Sequence, residues 1–237
     1  MNIAIIFAGG TGQRMSIATV PKQFLTLRDK PILIYTLEQF QQHPEIDGIV
    51  IVMLESWIGH TEKLVAQYGL DKVKAIIPGG ETGFLSRYHG VMCASELFPA
   101  DSVALVHDGV RPLIDAETIS RDIASVKQFG SAITVAPAIE TIAIKNEAGE
   151  VGQIIDRSKC QLAKAPQCFF LGDLKAAHQR AMDEGLTDFI DTAFLMQHYG
   201  HTLKTVEGKS DNIKITTPID YYLFGAYIEA REHGNDL

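Results

Sequence analysis

A chain of 237 residues suits one α/β domain or a domain with an excursion, and its 46% apolar and 21% charged residues allow a buried core without staples. A formal net charge of −8 argues against a protein that works by neutralising nucleic-acid phosphates, although it leaves room for a local positive pocket. Cys93, Cys160 and Cys168 are too few and too scattered for a disulfide framework or a Cys-x-x-Cys metal site, which fits a reducing cytoplasm, and the apolar start MNIAIIFAGG is too short for a membrane span and lacks the flanks of a signal peptide.

Strand and helix patterns then alternate. Asn2–Phe7 is an apolar run ended by glycines, a buried strand by length and punctuation. Apolar residues at Ile32, Tyr35, Leu37 and Phe40 predict a helix over Pro31–Gln42 with Pro in its first turn. Gly48–Leu54 reads as a strand, Ser56–Tyr68 as a helix capped by Ser56, Ala75–Pro78 as a short strand and Leu85–Leu97 as a helix. Ser102–His107 is a strand stopped by Asp108-Gly109, followed by a helix over Asp115–Phe129 and a strand over Ser131–Ala136. This βαβα rhythm predicts a mostly parallel twisted sheet with helices on both faces.

The rhythm breaks after Ala138. Thr141–Lys145 and Val151–Ile155 are short β-runs joined by a Gly-containing gap, which reads as a hairpin. It has little apolar surface of its own and an isolated hairpin is marginal, so residues 139–160 are expected to form an arm that packs on another subunit. Asp173–Met182 and Ile190–Tyr199 read as helices, His201–Val206 and Ile213–Thr216 as short strands, and Pro218–His233 as a closing helix.

The first strand runs into GGTGQRMSIATVPKQF, residues 9–24, at the edge where open α/β sheets bind ligands. Read as G-x-G-x-x-G from Gly10, the dinucleotide fingerprint fails at Met15, and no G-x-x-x-x-G-K-S/T string occurs. A bare glycine turn is the plain alternative. Arg14 and Lys22 weigh against it, because backbone donors, a guanidinium fork and an ammonium in one loop suit a polyphosphate. Pro21 fixes the backbone ahead of Lys22.

GGTGQRM followed by PKQF resembles the signature of nucleotidyltransferases that join a nucleotide to a sugar or alditol phosphate. With VHDGVRP at 106–112 and DNIKITTP at 211–218, the chain is similar to the cytidylyltransferases acting on 2-C-methyl-D-erythritol 4-phosphate or D-ribitol 5-phosphate. The motifs run in order from residue 9 to residue 218, so the resemblance covers nearly the whole chain. It implies one Rossmann-like nucleotidyltransferase domain over 1–237. It also implies attack of a phosphomonoester oxygen on the α-phosphorus of CTP, with loss of pyrophosphate.

The resemblance assigns roles residue by residue. Arg14, Lys22 and Lys214 hold the triphosphate and its transition-state charge, with the main chain of Gly9, Gly10 and Gly12 as cradle. Ala8, Gly80, Glu81 and Ser86 read cytosine; Asp108 and Gly109 meet the ribose and α-phosphate; Arg111 lies close to the acceptor. Mg²⁺ is the implied cofactor, with Asp108 and Asp211 as candidate ligands. Thr141 and Arg157 reach the acceptor from the hairpin of a second subunit, so a homodimer is implied, with neither nucleic acid nor membrane as partner. For His107, a structural turn is the preferred reading.

Three positions depart from the family pattern. Glu81-Thr82-Gly83-Phe84 replaces an acidic-Arg pair, Ala165 stands for Thr before Pro166-Gln167, and Ile190 precedes Asp191 where Thr or Ser is usual. The Ala8-Gly9-Gly10 start, the segment Trp57–Thr61 and the string Ile139-Glu140-Thr141-Ile142 look closer to the ribitol-phosphate branch, whose CDP-alditol product would feed surface-polymer synthesis. The alternatives are the methylerythritol reaction of isoprenoid synthesis, a pyrophosphorylase using UTP or dTTP, and a nucleotide-binding subunit without catalysis.

Overall fold

The computed structural model describes residues 1–10 and 20–233. Its strands are β1 (Asn2–Ala8), β2 (Thr26–Leu27), β3 (Lys30–Pro31), β4 (Gly48–Met53), β5 (Val73–Pro78), β6 (Val103–Asp108), β7 (Ser131–Pro137), β8 (Ile142–Lys145), β9 (Val151–Ile155), β10 (Gln161–Phe170) and β11 (Thr205–Glu207). The helices are α1 (Ile32–Gln42), α2 (Ile58–Gln67), α3 (Gly83–Leu97), α4 (Ala116–Phe129), α5 (Leu171–Asp183), α6 (Thr192–His198) and α7 (Pro218–Glu232).

Seven strands form one sheet in the order β11-β7-β10-β6-β1-β4-β5. All its pairings are parallel except those of β10, which runs antiparallel to β6 and β7. Alternation along β1 explains why both faces are covered. Ala4, Ile6 and Ala8 pack towards α1, α2 and α4, whereas Ile3 and Ile5 pack towards α3 and α5. The strand therefore reads as an unbroken apolar run, and each fully buried isoleucine contributes about 1.5–3 kcal/mol. A third cluster of Ile32, Val110, Leu113, Ile215 and Phe224 seats α7 against the start of α1. Thr217 and Asp220 cap α7 reciprocally, with Pro218 at its first position.

Most predicted elements lie within a residue or two of the observed ones. The differences have local causes. Ser56 is not a cap: residues 55–57 form a 3-10 turn and Trp57 precedes α2 without a side-chain cap bond. The helix expected from Ile190 begins at Thr192, because Asp191 accepts from Phe194 N–H and acts as its cap. Of the strand expected over His201–Val206 only Thr205 and Val206 pair with the sheet, in a short strand that runs on to Glu207. Ile213–Thr216 forms no strand; its pairing consists of Ile215 N–H donating to the Val110 carbonyl at 2.9 Å. The long strand β10 is an addition. Pro166 interrupts its ladder at a register shift between Ala163 and Gln167, which hid the strand from a reading that treats Pro as a breaker. The hairpin β8–β9 forms as expected and projects, with Ile144, Val151 and Ile154 between 51% and 66% exposed.

One buried carboxyl couples this core to pH. Asp122 of α4 is fully buried; its Oδ2 accepts from Thr134 Oγ1 at 2.9 Å, while Oδ1 has no partner among the described residues. Burial pushes its pKa up to about 7, against the modest opposing effect of the Thr134 bond. The folded chain then keeps a proton that the unfolded chain releases above about pH 4. This contribution to stability is complete below that pH and is lost as pH rises through about 7. Urea unfolding of Asp122→Asn should lack that slope, leaving the variant more stable than the parent at pH 8 and little changed at pH 4.

Candidate active site

At the carboxyl ends of β1, β5 and β6, a cavity of about 570 Å³ opens. Gly9 and Gly10 line it after β1, and Gly80, Glu81, Thr82, Gly83 and Ser86 line it after β5. Gly80 is required sterically, because a Cβ there would meet Leu85 Cβ at 2.4 Å. Ser86 Oγ accepts from Gly80 N–H at 3.1 Å and reaches the Thr82 carbonyl at 2.9 Å, which folds this turn onto the start of α3. Thr82 caps that helix by accepting from Leu85 N–H at 3.1 Å.

β6 delivers Asp108 to the centre of the cavity. Its Oδ1 accepts from Lys214 Nζ at 2.7 Å and its Oδ2 from Arg111 Nε at 2.9 Å. Burial acts to raise the carboxyl pKa, but Lys214 and Arg111 outweigh it and hold the group at about 2, ionised at any working pH. Gly109 lets the chain turn beneath it, since a Cβ would meet Ala8 Cβ at 2.9 Å. His107 is buried, and its Nε2 lies 3.1 Å from the Arg111 carbonyl. Burial pushes its pKa down to about 4, so the ring is neutral near pH 7 and braces the 107–111 turn.

Lys22 sits in a single 3-10 turn, Lys22–Phe24, and donates to the Ile215 carbonyl at 3.0 Å. The neighbouring Gln23 is buried and donates from Nε2 to the Ala8 carbonyl at 2.5 Å, tying the PKQ segment to the end of β1. From the other side, Arg111 Nη1 donates to the Asn212 carbonyl at 3.0 Å, and Asn212 Nδ2 to the Ala165 carbonyl at 2.8 Å. Three sequence motifs far apart along the chain thus meet at one edge of the sheet.

Of the expected site residues, Ala8, Gly9, Gly10, Lys22, Gly80, Glu81, Ser86, Asp108, Arg111 and Lys214 line this cavity. Gly109 lies directly behind it. Gly12 and Arg14 lie outside the described residues. Asp211 is placed differently from expectation: it is buried, absent from the lining and paired with Arg231 of α7 at 2.8 Å. Thr141 and Arg157 also stay off the cavity, exposed on the hairpin and at its base, where Arg157 donates to the Ile139 carbonyl at 2.8 Å.

Residues not singled out beforehand complete the wall: Arg87 from α3, Lys164 and Gln167 from β10, and Asp191 at the cap of α6. Gln167 Nε2 donates to Asp191 Oδ2 at 2.9 Å. Their available signal was proximity in sequence to the departures at 83, 165 and 190. Among the described residues, no group of three or more His, Cys, Asp or Glu is placed to hold a metal. Nor is any described helix long and apolar enough to cross a membrane.

Residues 2–230 match the family model described as IspD, 2-C-methyl-D-erythritol 4-phosphate cytidylyltransferase. The chain belongs to that cytidylyltransferase family. It is 48% identical, over 98% of each chain, to a Vibrio parahaemolyticus protein named ribitol-5-phosphate cytidylyltransferase. It is 38% identical to the 2-C-methyl-D-erythritol 4-phosphate cytidylyltransferase of Clostridium acetobutylicum, over 94% of this chain and 95% of that one. Its fold is similar to a solved structure of 4-diphosphocytidyl-2C-methyl-D-erythritol synthase from Anaerococcus prevotii, with a TM-score of 0.81, 25% identity and coverage of 97% and 96%. As a family member the chain is a nucleotidyltransferase, and the cavity holds the cations that such chemistry needs.

Proposed function

We propose that the chain transfers CMP from CTP to D-ribitol 5-phosphate, giving CDP-ribitol and pyrophosphate. The observation that carries this reading is the 48% identity, end to end, with a relative named for that activity, against 38% for one named for the methylerythritol reaction. The acceptor's phosphate oxygen forms a bond to the α-phosphorus as the bond to the pyrophosphate oxygen breaks. Both reactants are anions, so the protein's work is positioning and charge stabilisation.

Lys22 and Arg14, with the main chain of Gly9, Gly10 and Gly12, hold the triphosphate. Ala8, Gly80, Glu81 and Ser86 select cytosine, and Asp108 with Gly109 meets the ribose and α-phosphate. Lys214, fixed by Asp108, faces the charge that develops as pyrophosphate leaves. Mg²⁺ would be held mainly by phosphate oxygens, with Asp108, ionised and on the cavity wall, as a protein carboxylate that could join them. It would neutralise phosphate charge. Asp211 pairs with Arg231 through Oδ2, and its buried Oδ1 has no hydrogen-bond partner among the described residues.

The arm at 139–160 is read as the dimer contact, bringing Thr141 and Arg157 to the acceptor end of a second copy's site. The exposed Ile139, Ile144, Val151 and Ile154 support this, as they lack cover in one chain. The three free cysteines suit a reducing, cytoplasmic setting.

Pyrophosphate release should occur with CTP, Mg²⁺ and D-ribitol 5-phosphate and fall at least tenfold with UTP or dTTP; equal rates with UTP would defeat the cytidylyl assignment. Lys22→Ala should lower kcat by at least ~10²-fold, the scale of a lost transition-state charge contact, and a folded variant within a few-fold of the parent would remove Lys22 from the reaction. For the arm, sedimentation of Ile154→Glu should show monomer where the parent is a dimer, with a raised acceptor KM; an unchanged mass would contradict it.

A further inference from the structure

Among the described residues, Lys164 and Arg87 on the cavity wall take only main-chain carbonyls as hydrogen-bond partners. Lys164 Nζ, on β10, donates to the carbonyls of Ser210 at 2.7 Å and Asn212 at 3.3 Å. Arg87, in the second turn of α3, donates to the Phe189 carbonyl at 2.5 Å, and its buried Nε has no hydrogen-bond partner among the described residues. Lys214 and Arg111 differ in kind, because both are ion-paired to Asp108. A carbonyl orients a cation but does not cancel its charge.

Holding these charges in place is unfavourable. Burial lowers the pKa of both groups, and for Lys164 the nearby Arg111 lowers it further; Asp191 and Asp108 act the other way on Arg87, and Asp211 on Lys164, without reversing the shift. A half-buried cation without a counter-ion becomes favourable when an anionic or strongly polar ligand arrives.

The sheet order says which ligand. Gly80–Ser86 follows β5 and Gly9-Gly10 follows β1, whereas β10 lies on the other side of β6. Lys164 is therefore separated from the glycine segments by Asp108, at the end of the cavity away from the proposed nucleotide cradle. Arg87 of α3 places its guanidinium between Gly83, at the start of its own helix, and the Phe189 carbonyl, two residues before Asp191 of the Gln167–Asp191 pair.

We propose that Lys164 and Arg87 build the acceptor subsite, Lys164 gripping the phosphate of the incoming alditol phosphate and Arg87 a hydroxyl of its carbon chain. This rests on the transferase reading above. It gives this chain's own β10 and α3 a part in acceptor choice, separate from the arm residues of a second copy.

Steady-state kinetics on the full chain, with CTP and D-ribitol 5-phosphate varied independently, tests it. Lys164→Gln should raise the acceptor KM by roughly 10- to 100-fold, the scale of a lost charged hydrogen bond, with the CTP KM within about twofold and Lys164→Arg restoring most of the loss. Inorganic phosphate, used as a competitor of the acceptor, should inhibit Lys164→Gln more weakly than the parent. Arg87→Met should raise the acceptor KM by roughly 5- to 20-fold yet leave phosphate inhibition unchanged, since its bond is to the polyol. An acceptor KM unmoved in a folded Lys164→Gln, or a CTP KM that rises equally, would overturn the subsite while leaving an active parent enzyme. A parent that releases no pyrophosphate with any phosphorylated acceptor would overturn the transferase reading together with it.

Discussion

Five residues, Asp211 to Ile215, tie the catalytic edge of the sheet together. The Ile215 carbonyl accepts from Lys22, and Ile215 N–H donates to Val110. The Asn212 carbonyl accepts from Arg111 and Lys164, its amide holds the Ala165 carbonyl, and Lys214 reaches Asp108. Asp211 anchors the segment to α7 through Arg231. These groups come from separate loops and from β10, and one ordered segment fixes them relative to one another. The carbonyls aim the cations without themselves cancelling charge, and Arg111 and Lys214 share the one carboxylate of Asp108.

That arrangement resolves an apparent conflict in the charge balance. The chain is acidic overall, yet it must bring together a triphosphate and a phosphomonoester. Lys22, Lys214, Arg111, Lys164 and Arg87 are concentrated in one cavity whose central acid, Asp108, is shared by two of them. Inside a partly dry cavity such charges act over short range at low effective dielectric. The net charge of the whole molecule has little influence there, because salt screens distant surface groups.

Much of the sheet was legible because parallel strands covered on both faces must be apolar throughout, as β1 and β4 are. The glycines and cations of the three motifs were legible for a chemical reason: few other residue types present backbone donors and fixed positive charge to phosphate. β10 was hidden by Pro166 and by an exposed first half, Gln161–Ala163, that carries no clear alternation. Lys164 and Arg87 were hidden with it, since a surface lysine and a helical arginine look alike in sequence whether they face water or a cavity. The pairing of Asp211 with Arg231, which holds α7 to this segment, had no signal in the sequence, because the two residues lie on separate elements.

The acceptor separates the two family reactions. With CTP limiting and D-ribitol 5-phosphate and 2-C-methyl-D-erythritol 4-phosphate supplied together at equal concentration, the product ratio by mass spectrometry equals the ratio of the two kcat/KM values. An excess of CDP-ribitol of at least tenfold is predicted. An excess of the cytidylyl-methylerythritol product would contradict the account.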